Sequence, residues 1–427
     1  MRFGWLILLL LPLGVNAQTW FKTDSTFTEN PFYYRYTRGD NFFTRPLYSI
    51  KLDKEKQYFV VNPWFDVKLS TAINENLLKN GRGVLIEGQH GRFRFFSGLQ
   101  EVQENAYEYE RNIAANSAAL RGHNRTKKDS DGNYDYADFI AGLQYQGNTM
   151  RYSIGWHPVK VGSGIRPMFV SHLNTGFFNY QIGYTSKNKK ISVTHGNGTF
   201  FGSERLQSNS ASEAGLKRSQ LNWLNSEYSI SQKLSIAVHM DAYSEMYTDS
   251  SEQLRPKLKH YFPLPLSFDN KTTNRVGGEL KYFIPKGKLY VGALSNGIIY
   301  SGFTLRKILY TNLNISISVQ ATKHSLDSTN QIAQFGNAYT TPYKMVEYDG
   351  LSQLLLSFKN FRLESSANYF KSDTTNGLNI FASIGYCIHP PSEMLVQVFI
   401  EERQFPQKES YVGIGIRNNL GLSRNTY

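Results

Sequence analysis

The chain has 427 residues with abundant Gly (34), Tyr (28) and Phe (28), a single cysteine, Cys387, and a mean hydropathy of −0.43. Its 47 Lys and Arg outnumber 34 Asp and Glu, for a net charge of +13. One cysteine excludes a disulfide framework, and no apolar run approaches the roughly 20 residues of a spanning helix, so either a packed core or a closed hydrogen-bonded sheet must hold the chain together.

In chain order, the first signal is the N-terminus. Met1 and Arg2 give a positive start, an apolar run follows from Trp5 to Leu13, and Val15, Asn16 and Ala17 are small or short side chains. This pattern predicts a signal peptide over 1–17, cleaved near Ala17/Gln18. No cysteine follows to carry a lipid anchor. Export makes nucleic acid an unexpected partner, and loss of Arg2 leaves a mature charge of +12.

From Tyr58 onward, stretches of alternating apolar and polar residues recur between turn residues, predicting about 16–18 strands. The runs 234–243, 313–320 and 411–417 alternate most cleanly. Short connectors at 187–190, 231–233, 285–288 and 359–360 belong to one rim, and the longer insertions 202–217, 250–270 and 323–344 to the other. Tyr184, Tyr247, Tyr282, Phe283, Tyr369, Phe370 and Tyr386 lie at strand ends, as interfacial girdles require. The expected fold is an all-β, antiparallel outer-membrane barrel formed by a single domain over 18–427. Within it, 101–122 is rich in helix formers and closes at Gly122, predicting a short helical plug or lumen insertion.

Several residues are candidates for ligand contact. Arg121, Arg125, Lys127 and Lys128 form the densest basic run, suited to lipopolysaccharide phosphates or an acidic exopolysaccharide. Gly162, Ser163 and Gly164 predict a tight turn with positive φ that positions Arg166, a planar fork for an anion or for a wall carboxylate such as Asp66, Glu87 or Glu101. Trp64, Trp156 and Trp223 offer faces on which a sugar ring can stack. No cofactor or metal is expected: Asp129, Asp131 and Asp135 lack the closing Glu of a calcium loop. No catalysis is expected either, because His195 is followed by Gly196 and Asn197, so the hydroxyl nucleophile of the phospholipase-like His-x-Ser pattern is missing two residues on.

The stretches Val61-Asn62-Pro63-Trp64-Phe65-Asp66, Asn80-Gly81-Arg82-Gly83 and Trp156-His157-Pro158-Val159-Lys160-Val161-Gly162-Ser163-Gly164-Ile165-Arg166 resemble motifs of the capsule-assembly Wzi family, and a composition rich in Tyr, Phe, Asn and Lys is similar to its RemB-like branch. The pattern departs from the family's at Ile165, Pro167 and His172. The resemblance implies a plugged, non-catalytic outer-membrane barrel that attaches or organises surface exopolysaccharide, with links to gliding motility and to motility or secretion proteins. The alternative is an outer-membrane porin or substrate channel.

Overall fold

A computed structural model of the chain describes residues 48–53, 57–72, 75–108, 111, 126–128, 132–157, 159–164, 176–205, 216–248, 254–255, 272–295, 297–310, 313–323, 346–372, 376–389, 394–404 and 408–418. The strands begin with β1 (Tyr48–Asp53), β2 (Gln57–Thr71), β3 (Asn76–His90), β4 (Phe93–Glu104), β5 (Thr126–Lys128), β6 (Tyr134–Gln146) and β7 (Met150–His157). They continue with β8 (Phe177–Thr185), β9 (Ile191–Arg205), β10 (Leu216–Ser229), β11 (Leu234–Thr248), β12 (Leu254–Arg255), β13 (Thr272–Ile284) and β14 (Gly287–Leu294). The last are β15 (Ile299–Tyr310), β16 (Leu313–Lys323), β17 (Val346–Phe358), β18 (Phe361–Ser372), β19 (Asn376–His389), β20 (Met394–Arg403) and β21 (Glu409–Asn418).

Eighteen of these strands form a closed antiparallel barrel. Successive strands pair in chain order, β4 passes directly to β6 and β11 to β13, and β21 returns to β2. The three remaining strands extend the wall: β1 along one end of β2, β5 on β6, and β12 on β11. The closing seam is short, because β21 pairs with β2 only from Asp66 to Thr71. Pro63 has no N–H to offer a ladder. There the Asn418 side chain substitutes for backbone, accepting from Phe65 N at 2.6 Å and donating to Pro63 O at 2.9 Å.

Alternation sorts the two faces. On β20 and β21, Val396, Val398, Ile400, Val412, Ile414 and Ile416 point outward and are exposed, while Gln397, Phe399, Glu401, Tyr411 and Gly413 point inward and are buried. Period-2 side chains on a curved, closed sheet give this result: an apolar belt for hydrocarbon outside and a polar wall inside. Connections at 91–92, 147–149, 186–190, 230–233, 285–286 and 359–360 close one rim, and the strand order puts the longer connections at the other. Gly287 and Lys288, expected in a turn, already belong to β14.

Two expectations shift. The segment expected to be helical over 101–122 begins as strand: Glu101 to Glu104 complete β4 and pair with β6. Glu108 and Arg111 are helical, and most of the segment lies outside the described residues. Among the expected girdle residues, Tyr184, Tyr282, Tyr369 and Tyr386 face outward, but Phe370 is 1 % exposed and faces inward, as does Phe283 opposite Lys288. Each neighbours an outward Tyr, and consecutive strand residues cannot share a face. The side chain of Tyr247 lies outside the described residues.

Candidate functional site: a loop across the lumen

The chain leaving β7 turns into the barrel. Val159 and Val161 are buried in one cluster with Phe177, Leu221 and Trp223 of β8 and β10 and with Tyr290, Leu294, Ile298 and Tyr300 from β14 to β15. Residues 159–164 therefore run from the β7–β10 wall to the β13–β16 wall, and seven residues beyond His157 reach at most about 25 Å, enough for such a chord. Positive φ at Gly162 (101°) and Gly164 (104°) turns the chain at its far end. A Cβ on Gly164 would stand 2.4 Å from Gln320 Oε1 and 2.8 Å from the Tyr290 hydroxyl, so the loop tip is seated without spare room.

The tip is fastened by one carboxylate. Ser163 N donates to Glu279 Oε2 at 3.0 Å and Ser163 Oγ to Oε1 at 2.8 Å, while Tyr300 also donates to Oε2 at 2.8 Å. Lys281 lies 3.5 Å from the same carboxylate and 2.9 Å from Glu227, which accepts from Ser235 at 2.7 Å. Above Glu279 on the same wall, Arg275 grips Asp241 through Nε (2.9 Å) and Nη2 (2.7 Å), and His239 Nε2 meets the second Asp241 oxygen at 2.8 Å. All three are essentially buried, and a two-pronged Arg–carboxylate pair fixes geometry as well as charge. The result is a rigid receiving wall for the loop.

A second segment turns inward near the seam. The Tyr107 ring lies tilted against Tyr411 with centroids 4.5 Å apart, the Arg403 guanidinium is 6.0 Å from the Tyr107 ring, and Arg111 pairs with Glu75, whose hydrogen bond raises the Arg111 pKa above its ordinary value. Both inward segments enter from the long-loop end. Toward the short turns, Leu355 and Arg306 face inward yet are exposed, Leu355 by 39 %. An accessible leucine on the inner wall means that other side chains do not cover this part of the wall. Around the remaining wall run paired charges, Arg417 with Glu364 at 2.6 Å and Arg403 with Glu401, and the half-buried Lys68.

The described candidate ligand residues, Trp156, Lys127 and Lys128, do not converge. Trp156 sits opposite Ala141 and Phe178 on the outward face, so it meets the membrane side of the wall and not the lumen. The cause is strict alternation along β7, where Arg151 and Ser153 take the inward positions. Lys127 and Lys128 are exposed on β5, Lys127 opposite Asp135 and Lys128 with its ammonium 6.0 Å from the Tyr134 ring. Arg121, Arg125 and Arg166 lie outside the described residues. Of the carboxylates considered for Arg166, Asp66 is bridged by Lys79 at 3.0 Å and Glu87 by Arg94 at 3.1 Å. His195 is on the outward face of β9, 6.4 Å from the Tyr180 ring. Sequence reading missed a buried Ser153–His157 contact of 3.2 Å between two inward positions of β7.

No family model and no curated protein matches the chain. Among solved structures, the chain is similar to Pseudomonas aeruginosa OccK8 (OprE), at 9 % identity over 84 % of this chain and 97 % of that one with a TM-score of 0.42. It is similar to Acinetobacter baumannii OccAB4, at 8 % identity over 86 % and 98 % of the two chains with a TM-score of 0.45. It is also similar to Pseudomonas aeruginosa OpdK solved with vanillate, at 8 % identity over 84 % and 97 % with a TM-score of 0.46. These likenesses extend to barrel architecture.

Proposed function

We propose that this chain is a constricted outer-membrane channel for small hydrophilic solutes, exported by its signal peptide and oriented with the short turns in the periplasm. The observation that carries the reading is the combination of a water-accessible inner wall at Leu355 and Arg306 with a loop at 159–164 narrowing the lumen beyond it. Barrels of this strand number leave an aqueous interior unless their own segments fill it. The inner charges are largely compensated in pairs, which favours passage of polar solutes over strong selection of one charge sign. Liposome swelling tests this directly. Purified barrel should admit the smallest neutral sugars and exclude larger ones, and no swelling with any solute would refute the channel.

A second reading is surface attachment of an acidic exopolysaccharide, as the Wzi-like motifs imply, with gliding-associated partners. Its support is that both inward segments lie at the long-loop end, next to the exposed Lys127 and Lys128. Glycan retention on cells that is lost on replacing those lysines by Gln, in barrels that show no swelling, would favour it.

A further inference from the structure

The short-turn rim is basic at every described corner that carries a charge. Arg92 occupies the β3–β4 turn, Lys187, Lys189 and Lys190 the β8–β9 turn, and Lys233, Lys286 and Lys359 the turns after β10, β13 and β17; all are exposed, and no Asp or Glu occurs among the described residues of these turns. Three of the lysines, Lys189, Lys286 and Lys359, hold φ of 58°, 62° and 49°. That left-handed conformation is disfavoured for any residue with a Cβ and is easier for Gly or Asn. Gly91 does take it, at φ 59°, in the turn that carries Arg92. A lysine recurring where the backbone prefers Gly or Asn indicates that the charge is what the position requires.

The placement of two of these cations identifies the side they serve. The Lys359 ammonium stands 5.6 Å from the ring of Phe358, which is exposed on the outward face beside Phe361 and Tyr386. Arg92 donates to the Tyr145 hydroxyl at 3.5 Å and to Asn148 at 3.3 Å, and Tyr145 lies in an outward aromatic row with Phe93 (5.1 Å) and Tyr152 (5.9 Å). Exposed Tyr184, Tyr228 and Tyr282 continue the aromatic band near the other basic turns. Aromatic rings of this kind mark the headgroup level of a bilayer. The cations therefore sit at the outer edge of the girdle, distributed around the circumference, which matches a plane of phosphates surrounding the barrel better than one partner docked on one side.

We infer that the short-turn rim is an annular binding surface for the phosphate headgroups of anionic phospholipid in the adjoining leaflet. This rests on the membrane placement proposed above and is independent of what passes through the lumen. The test reconstitutes the full barrel and measures, by electron spin resonance, the association of spin-labelled phosphatidylglycerol relative to phosphatidylcholine. The wild type should prefer the anionic lipid by about two- to fivefold at low salt and lose the preference in molar salt. The variant Lys189→Asn, Lys286→Asn, Lys359→Asn removes charge while offering each turn a residue that accepts its conformation, so the barrel should keep its unfolding temperature and its preference should fall toward unity. A preference unchanged in the variant or insensitive to salt overturns the inference. Equally, cell-wall glycan fragments that sediment with wild-type barrel and not with the variant, with lipid preference unchanged, would assign the rim to a wall polymer. A barrel that does not reconstitute at all would contradict the membrane placement instead.

Discussion

Replacing Glu279 by Gln should release the loop tip without unfolding the barrel. In the wild type one buried carboxylate accepts from Ser163 N, Ser163 Oγ and Tyr300. A Gln side chain keeps the volume but has one acceptor oxygen, and its amide nitrogen would face donors. Hydrogen bonds to a charged group contribute roughly 1.5–3 kcal/mol each, and Gln keeps one acceptor, so losing one of the two from Ser163 removes about 1.5–3 kcal/mol from loop docking. At 1.4 kcal/mol per decade, the docked-to-undocked ratio falls by about one to two orders of magnitude. Val159 and Val161 still pack against Trp223 and Tyr290. The loop should therefore fluctuate and not remain free. In planar bilayers the variant should show frequent excursions to a larger conductance that are rare in the wild type. Ser163→Ala should show a milder form of the same behaviour, and adding it to Glu279→Gln should change little further, because both remove the same contact. Identical current traces for wild type and Glu279→Gln, in barrels of unchanged heat-modified gel mobility, would refute the loop as the constriction.

Other substitutions test separate parts of the account. Gly164→Ala combines a positive φ with a Cβ 2.4 Å from Gln320, and should raise conductance with little change in the unfolding temperature of the wall. Asn418→Ala removes two bonds that extend the short seam, and should lower stability by about 1–3 kcal/mol in urea-induced unfolding from vesicles. Ile414→Lys, at an outward position 57 % exposed, should destabilise the reconstituted barrel by about 2–4 kcal/mol if it lies near the bilayer midplane, and by almost nothing if this face meets water. Trp156→Phe should remove fluorescence that brominated lipid chains quench, whereas a tryptophan in the lumen would be indifferent to them.

Sidedness was legible in the sequence because it is a local, period-2 property. The runs in β11, β16 and β21 place Ile236, Ile317 and Ile414 outward, as alternation requires, and the short turns announce themselves through Lys-Asn and Pro-Lys pairs. The outward position of Trp156 was equally available, since Tyr152, Ile154 and Trp156 form one face of β7 opposite Arg151 and Ser153. Where β4 rises beyond the apolar belt, its outward residues become Glu101 and Gln103, so the strand loses the alternation that marks it and resembles a helix. What the sequence could not provide is contact across the lumen. Ser163 and Glu279 are 116 residues apart, and their meeting depends on strand number and barrel closure together. The two glycines flanking Ser163 signalled a turn, but nothing local indicated which wall would receive it.

The central claim is a water-filled barrel narrowed by its own loop, and single-channel recording of the purified wild-type protein in planar bilayers, with and without an acidic polysaccharide, tests it most directly. The account predicts a small, steady conductance that the polysaccharide leaves unchanged and that rises when 159–164 is replaced by a short Gly-Ser link. Absence of any conductance in both the wild type and the loop-replaced barrel would contradict it.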